Sequence, residues 1–379
     1  MYFSDIVGQE SLKEQLIQTV HEKRVSHARL FLGSEGSGSL PLAIAYAQFV
    51  NCTSRGEREP CGKCLSCVKF NKLAHPDLHF VFPVVKTDKI KAPVSDHYIE
   101  KWREAVKANP YMTYNQWLEQ MVDDNKQGGI FVDESREILK KLSFKTYEAE
   151  YKVMIIWLAE KMNQQTANKL LKILEEPPEK TLFLLIAESA DHILPTILSR
   201  TQISRVPKID TQSLTDYLVA SGLCDHKKAL NAAHISNGNL AAALQVLQSA
   251  EESDDFLKMF IQLMRTCWSV WSRKQAMLDL LAWCDQITQL GREQQKAFLL
   301  YCLRMVRENF ALNRQQPSLA FLTDAENDFS KKFNTFIHPN NVHQLANELN
   351  TAHFHIASNG NKNLVFLDLA CKIVVLMKH

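Results

Sequence analysis

The alternation of apolar and polar residues is most regular between positions 151 and 201. Two uninterrupted apolar runs, 153–158 and 182–187, flank a segment in which leucine and alanine recur every three or four residues. Continuous apolarity is typical of strands buried on both faces of a parallel sheet, and the intervening spacing is that of one helical stripe. Asn163 is a suitable N-cap, and Pro177-Pro178 ends the helix. The stretch therefore predicts a right-handed β-α-β unit.

Similar patterns before and after this unit predict the rest of the first half. Leu12, Leu16 and Val20 recur at helical spacing, and the apolar residues 30–32 then predict the first core strand. After Arg205 the composition changes, and only helical patterns remain. The sequence thus predicts an α/β region followed by an all-helical one.

The helical region divides at a polar run. Residues 211–249 predict a first group of helices, and the acidic run 251–255 predicts a linker. From there to the end, aromatic and methionine side chains recur at helical spacing. One such stripe consists of Phe256, Phe260, Leu263, Met264, Cys267 and Trp271. A cofactor site is one interpretation of these stripes, but we favour the core of a helical bundle.

Length and charge limit the class of protein. A chain of 379 residues predicts two or three domains, and its 46% hydrophobic residues are enough for sizeable cores. No apolar run approaches the roughly 18 residues of a membrane span, and the first residues lack the pattern of a signal peptide. We therefore expect a cytoplasmic protein without membrane contact. The net charge of +2 indicates that any contact with DNA requires a local basic patch.

Four of the nine cysteines are clustered with the spacing C-x8-C-x2-C-x2-C: Cys52, Cys61, Cys64 and Cys67. Four thiolates at this spacing predict a tetrahedral Zn²⁺ site, and because the protein fills all four positions the site would be structural. The alternative is four unrelated thiols. The remaining five occur in helical, mostly apolar contexts and are expected in cores: Cys224, Cys267, Cys284, Cys302 and Cys371.

Several short motifs occur together in a fixed order. They are Val7-Gly8-Gln9, residues 167–172, Leu174-Glu175-Glu176-Pro177-Pro178, residues 194–201 and residues 235–244. Together they resemble bacterial clamp-loader AAA+ subunits of DNA polymerase III, with Thr201 where the Ser-Arg-Cys motif of that family has cysteine. The resemblance covers residues 3–84 and 136–250 well and the last third only loosely.

This resemblance implies three domains. Residues 1–207 would form an α/β AAA+ domain of the P-loop type, with a parallel sheet and a zinc module at 52–67. Residues 208–250 would form a small helical lid, and residues 256–379 an all-α collar that mediates oligomerisation. An insertion at about 85–129 departs from the family pattern. It would be a docking surface or, as we favour, a segment pinned to the domain by Trp102 and Trp117.

The phosphate loop keeps its glycines but not its chemistry. A working loop, G-x-x-x-x-G-K-[ST], cradles phosphates with backbone amides, while lysine reaches the outer phosphates and the hydroxyl binds magnesium. Gly33 and Gly38 are present, but Ser39 replaces the lysine and Leu40 replaces the hydroxyl. A leucine cannot coordinate a cation, so we expect no ATP to be bound.

The acidic pair of an ATPase is also missing from its expected place. Trp157-Leu158 follows the strand where the resemblance places Asp-Glu, and Ala241 stands near the position of the sensor arginine. Asp133-Glu134 imitates the acidic pair, but we interpret Asp133 as the cap of the following helix.

The resemblance implies a catalytically inactive subunit that scaffolds a hetero-pentamer. Its partners would be the delta and tau/gamma subunits, the sliding clamp and, through the complex, primer–template DNA. Arg200 would act in trans as an arginine finger on a neighbour's ATP; the alternative for Arg200 is a surface salt bridge. Two other functions remain open: an ATP-hydrolysing tau/gamma-like motor subunit, and an unrelated zinc-containing nucleic-acid-binding protein.

Overall fold

The computed structural model describes residues 1–87, 90–121, 127–248, 250–273 and 275–377. The chain divides into two compact units, Met1–Gln245 and Val246–His379, and the boundary falls within a helix.

The first unit is built on a parallel sheet. Its strands are β1 Ala28–Leu32, β2 Leu78–Val81, β3 Lys152–Trp157, β4 Thr181–Ala187 and β5 Gln202–Arg205. They are arranged in the order β2-β3-β4-β1-β5, and every pairing is parallel. In this order β1 lies between β4 and β5. The loop after β1 is therefore at the carboxyl ends of the inner strands, which is where parallel α/β sheets bind ligands.

Helices cover both faces of this sheet, and the last helices of the unit come after β5 in the chain. They are α1 Glu10–His21, α2 Ser39–Val50, α3 Leu65–Asn71, α4 Ile99–Ala108, α5 Tyr114–Met121, α6 Val132–Ser143, α7 Gln164–Glu175, α8 Pro195–Leu198, α9 Thr211–Ala220, α10 His226–Ser236 and α11 Leu240–Gln248. Two apolar clusters form the core of the unit, one against each face of the sheet.

The predicted β-α-β unit is confirmed. Every residue of β3 and β4 is buried, as expected for strands covered on both faces. The side chain of Asn163 caps α7 by accepting a 2.8 Å hydrogen bond from the Thr166 N–H. The helix ends at Glu175, two residues before the prolines.

The insertion at 85–129 contains α4 and α5; its residues 88–89 and 122–126 lie outside the described ones. Trp102 and Trp117 are both completely buried. The Trp102 ring stacks on Phe82 at 4.3 Å and lies 5.1 Å from both Trp117 and Trp157, the last residue of β3. The interpretation that these tryptophans pin the insertion to the domain is therefore confirmed.

The second unit is built from helices and turns, with no strand among its described residues. Its helices are α12 Ala250–Ser269, α13 Ala276–Gln289, α14 Arg292–Asn313, α15 Asp324–Phe333, α16 Val342–Ala357 and α17 Lys362–Leu376. Their apolar stripes form one core, which includes Phe260, Trp283 and Phe298. Core packing is thus confirmed for most of the predicted stripe. No described helix in either unit is long and apolar enough to cross a membrane.

Three predictions for the helical region are wrong in detail. Residues 251–255 are not a linker, because α12 begins at Ala250; an acidic run is compatible with the amino end of a helix. Trp271 follows that helix and is 54% exposed, with its indole N–H donating to the Val374 carbonyl. Cys371 is exposed on the outer side of α17, and Cys224 is half-buried because it lies in the turn between α9 and α10 and not on a helix.

Candidate functional site

The phosphate loop joins β1 to α2 and retains its backbone shape. Gly36 and Gly38 have φ values of +70° and +96°, a region that side-chain-bearing residues rarely adopt. A Cβ on Gly36 would lie 1.8 Å from the Asn239 side chain, and one on Gly38 would lie 3.2 Å from the Tyr111 ring. Both glycines are thus required by conformation and by close approach, independently of any nucleotide.

The two positions that would act on phosphate and magnesium belong to the core instead. Leu40 is 4% exposed, and α2 is buried along its whole length. The Ser39 hydroxyl lies 3.3 Å from that of Ser37, within the loop. Ser39 therefore offers no positive charge, and Leu40 offers no ligand to a cation.

A residue of the insertion occupies the cleft above the loop. Tyr111 lies against Gly38, and its hydroxyl accepts a 2.9 Å hydrogen bond from the Val7 N–H. Burial raises the pKa of Tyr111 to about 12, so the phenol stays neutral. The cavity that remains between the loop, Tyr111 and Trp157 measures about 30 Å³. This is space for a water molecule or two, whereas ligand pockets measure roughly 300–1,000 Å³.

The loop is also contacted from the start of α11. The Leu240 N–H donates to the Gly36 carbonyl at 3.2 Å. On the other side of the loop, the Gln9 side-chain amide donates to the carbonyls of Ser37 and Pro207 at 3.1 and 2.6 Å. These bonds fix the loop to segments on both sides of it without a ligand.

Two carboxyl groups line the cleft, Glu35 and Glu188, and a third, Glu160, lies beside Glu188. Burial and, to a smaller extent, repulsion by the neighbouring Glu35 and Glu160 raise the pKa of Glu188 to about 7. Burial also raises the pKa of Glu35 and of Glu160. Glu160 accepts a 2.9 Å bond from the Glu188 N–H. Ionised carboxylates here would repel the phosphates of a nucleotide.

At the end of β3, the expected acidic pair is replaced by buried apolar residues. Trp157 packs on Trp102, and Leu158 has a φ of +56°. A leucine in the left-handed region is strained by about 1–3 kcal/mol and persists only where the surroundings fix it. No carboxylate can reach a magnesium ion from these two positions.

The imitation motif has a structural role that differs from the predicted one. The helix α6 begins at Val132 with Phe131 as its N-cap, so the prediction that Asp133 caps it is wrong by two positions. Glu134 is buried and accepts bonds from the Ser95 N–H at 2.7 Å and hydroxyl at 3.0 Å. Burial raises the pKa of Glu134 to about 7, against the effect of these donors. The residue ties the insertion to α6.

Arg200 follows α8, whose Ile197 is buried and anchors the segment. The Arg200 side chain is 37% exposed; its guanidinium pairs with the Glu175 carboxylate at 2.8 Å and also donates to the Thr196 carbonyl at 3.1 Å. A surface ion pair, the alternative considered for this arginine, is thus present in the single chain. Its acidic partner is the first glutamate of the Leu-Glu-Glu-Pro-Pro motif.

The four clustered cysteines converge as their spacing predicts. The sulfur atoms of Cys52, Cys61, Cys64 and Cys67 all lie within 4.8 Å of one another. Backbone N–H groups of the last three donate to the sulfur of the preceding cysteine at 3.2–3.4 Å. Burial opposes ionisation of Cys64, but N–H donation from Cys67 and bonds from Thr53 outweigh it and lower its pKa to about 6. A compact, four-sulfur donor set fits a tetrahedral metal such as zinc.

Sequence reasoning missed Tyr111, Glu175 and Glu188. No periodicity marks Tyr111, which stands between two helices of the insertion. Glu175 is the last residue of α7 and Arg200 follows α8, and no sequence pattern indicates that these two helix ends come together.

Comparisons with known proteins agree with these observations. The protein family described as "DNA polymerase III, delta subunit" matches residues 8–210. The subunit delta' of Haemophilus influenzae DNA polymerase III is 28% identical over 293 residues, 76% of this chain and 74% of that protein. For the delta' subunit of Bacillus subtilis the identity is 27%, over 66% of this chain and 63% of the relative. The tau subunit of Bacillus subtilis is 29% identical over 68% of this chain and 39% of that subunit.

Proposed function

The chain belongs to the DNA polymerase III delta subunit family, and from that premise we propose that it is a delta'-like subunit of the replicative clamp loader, without ATPase activity of its own. It would scaffold a hetero-pentamer with delta and tau/gamma subunits in the cytoplasm. Through that complex it would take part in loading the sliding clamp onto primer–template DNA.

The observation that carries this proposal is the filled phosphate-loop cleft. Tyr111 leaves a cavity of about 30 Å³ where a nucleotide would need several hundred. A tau/gamma-like motor, the second candidate, would also need a cation at position 39 and carboxylates after β3, where Ser39, Trp157 and Leu158 stand. Because the chain belongs to this family, we no longer favour the alternative of an unrelated zinc-containing nucleic-acid-binding protein.

Arg200 would then serve a neighbouring subunit. Its guanidinium is exposed enough to be reached, and its forked donors suit phosphate oxygens. In the free chain Glu175 would hold these donors in place. In the complex they would pass from the carboxylate to the phosphates of ATP bound next door. Because an exposed ion pair contributes only about 0–1 kcal/mol, breaking the pair with Glu175 would cost little free energy.

The cysteine cluster would hold one structural zinc ion. Four thiolates close the coordination sphere, so the metal would fix the fold of residues 52–67 and would leave no position for water or substrate.

The test is ATP hydrolysis by the reconstituted loader with clamp and primed DNA. We expect Arg200→Ala to reduce the stimulated rate while leaving assembly intact. Partner-supplied arginines contribute on the order of 10³–10⁵ in rate, and a complex with several ATP sites should lose less because one site is affected. Arg200→Lys should restore little, since an ammonium lacks the fork.

Glu175→Gln is the matched control. It breaks the same ion pair but leaves the guanidinium free, so a finger predicts a nearly normal rate. A purely structural ion pair predicts equal losses for Arg200→Ala and Glu175→Gln. Wild-type rates from the Arg200→Ala complex would remove the finger and leave only the scaffold.

A further inference from the structure

The strand β5 ends the sheet, and one of its sides is unpaired. The Val206 N–H donates to the Leu32 carbonyl at 2.8 Å. This bond shows which residues of β5 direct their backbone groups toward β1. In a parallel ladder alternate residues face the partner, so Gln202 and Ser204 bond inward while Ile203 and Arg205 turn their N–H and C=O groups outward. Within the described parts of the chain, no strand pairs with this outer side. Such an edge is a template for a further strand.

A groove runs along this edge, between β5 and α1. Its volume is about 630 Å³, enough for several residues of an extended chain. We call it the β5 groove; its polar lining includes Gln15, Arg29, Gln202, Ser204, Arg205 and Lys208.

A buried arginine without an anion lies in the wall of this groove. Arg29 is 4% exposed, and its guanidinium donates to the neutral oxygens of Ser204 and Gln202, each at 2.7 Å. Its Nε is buried, and no atom of the described ranges accepts a hydrogen bond from it. Among the described residues, no carboxylate lies within salt-bridge distance of it. A buried charge without a counter-ion is costly, so an anionic ligand would be stabilised here.

The other charges of the groove point the same way. Neither Arg205 nor Lys208 forms an ion pair with any described residue, whereas the two acids of the lining are engaged. Glu10 pairs with Lys13 at 2.6 Å, and Asp210 caps α9 by accepting the Ser213 N–H at 2.8 Å. Against the positive charges of Arg29, Arg205 and Lys208, only Asp210 of the lining keeps a negative charge without a cationic partner among the described residues, so the groove is positively charged in a chain whose net charge is only +2.

We propose that the β5 groove binds an acidic, extended segment of a partner protein, which pairs with β5 as a sixth strand. Backbone groups of the segment would bond to Ile203 and Arg205, and its alternate carboxylates would lie on the face of the sheet that holds Arg29. Arg205 and Lys208 would add to the positive charge that attracts the segment. Strand addition obtains affinity from main-chain bonds and specificity from alternate side chains. We favour a peptide over nucleic acid because the outward N–H and C=O ladder matches a strand spaced about 4.8 Å away, and a sugar–phosphate backbone has no equivalent ladder.

The test uses the full chain and two fluorescein-labelled peptides, Glu-Val-Glu-Val-Glu-Val and Lys-Val-Lys-Val-Lys-Val, in anisotropy titrations. We expect the acidic peptide to bind, the basic one not to bind, and salt to weaken binding. Ile203→Pro removes one outward N–H without touching the bonds to β1, and should weaken binding by about tenfold or more. Ile203→Ala is the matched control, because it keeps the N–H, and it should bind within about threefold of wild type.

A second variant tests the proposal even if Ile203→Pro does not fold. Arg205→Glu/Lys208→Glu reverses two exposed charges and should abolish acidic-peptide binding, while circular dichroism and zinc content stay normal. Absence of acidic-peptide binding to the wild type overturns the proposal. So does equal weakening by Ile203→Pro and Ile203→Ala. If a dT oligonucleotide bound wild type and Ile203→Pro equally well, the groove would be a nucleic-acid site instead.

Discussion

The phosphate-loop cleft and the cysteine cluster, two regions of the same unit, differ in what the sequence has retained. In the cleft the glycines and backbone bonds remain, while the side chains that would bind phosphate and magnesium are replaced by Ser39 and Leu40. In the cluster all four donor atoms remain and converge within 4.8 Å.

The difference follows from what holds each region together. The cleft is stabilised by the chain itself: Tyr111 fills it, Trp157 packs under the insertion, and Leu240 bonds to Gly36. The loop at 52–67 is held by N–H to sulfur bonds between its cysteines and by polar contacts at its surface, such as the bonds from the Phe3 and Ser4 N–H groups to the Glu59 carboxylate, and most of its residues are at least partly exposed. A region that packs well can lose its ligand chemistry, whereas a region without a core depends on its donors.

The largest effect that tests this contrast is expected at the cysteines. Cys61→Ser/Cys64→Ser should lose the metal and unfold the module, because structural zinc contributes an apparent binding energy of about 10–16 kcal/mol in small peptides. The measurements are metal content and hydrogen exchange over residues 52–67. The control is Cys371→Ser, an exposed thiol outside the cluster, which should keep its metal. A full complement of zinc in the double variant would show that the ligands are elsewhere.

The next effect concerns the packing that replaces the nucleotide. Trp102→Ala should destabilise the first unit by about 3–5 kcal/mol, because it removes a ring that touches Phe82, Trp117 and Trp157. Denaturant-dependent hydrogen exchange of β3 measures the loss.

Trp102→Phe is the matched control. The indole N–H of Trp102 has no hydrogen-bond partner in the part of the chain that the structure describes, so the smaller ring loses only contact area and should cost about 1.5 kcal/mol or less. A Trp102→Ala variant as stable as wild type would mean that the insertion does not support the cleft.

The elements that were predictable are those whose pattern is local. Unbroken apolar runs identified β3 and β4, and Asn163 with the prolines identified both ends of α7. Cysteine spacing identified the cluster because its ligands are close in sequence. Tyr111 was not predictable, since its contact with Val7 joins residues 104 positions apart through an insertion with no periodic signal. The helix at 250–255 was missed because charge indicates exposure and does not decide between helix and loop.

A smaller effect is expected where the insertion is tied to α6. The pKa of Glu134 is about 7, above its ordinary 4.5, so the folded chain binds more protons than the unfolded one between these values. The free energy of unfolding should therefore fall as pH rises through this window. Glu134→Gln removes the ionisation, and its stability relative to wild type should rise by on the order of 2–3 kcal/mol between pH 4 and pH 8.

Urea titrations across this range measure the trend. Glu137→Gln, on the same helix but half-exposed, controls for the change in net charge. Lys141 and Asp96 also act on Glu134, in opposite directions, so both should be left unchanged. Parallel pH curves for wild type and Glu134→Gln would contradict the shifted ionisation.

The smallest effect is expected from restoring the phosphate loop. Ser39→Lys/Leu40→Thr returns the two chemical side chains, yet we expect calorimetry to detect no binding of magnesium-ATP by this variant or by wild type. The reason is space: about 30 Å³ remains beside Tyr111, and the carboxyls of Glu35 and Glu188 lie at the mouth.

Adding Tyr111→Ala to this double variant should open the cleft and give the only measurable affinity of the series. Tyr111→Ala alone is the control, since it provides space without the lysine. Tight binding by Ser39→Lys/Leu40→Thr would mean that the lost side chains alone silence the site, and tight binding by wild type would remove the proposal of an inactive subunit.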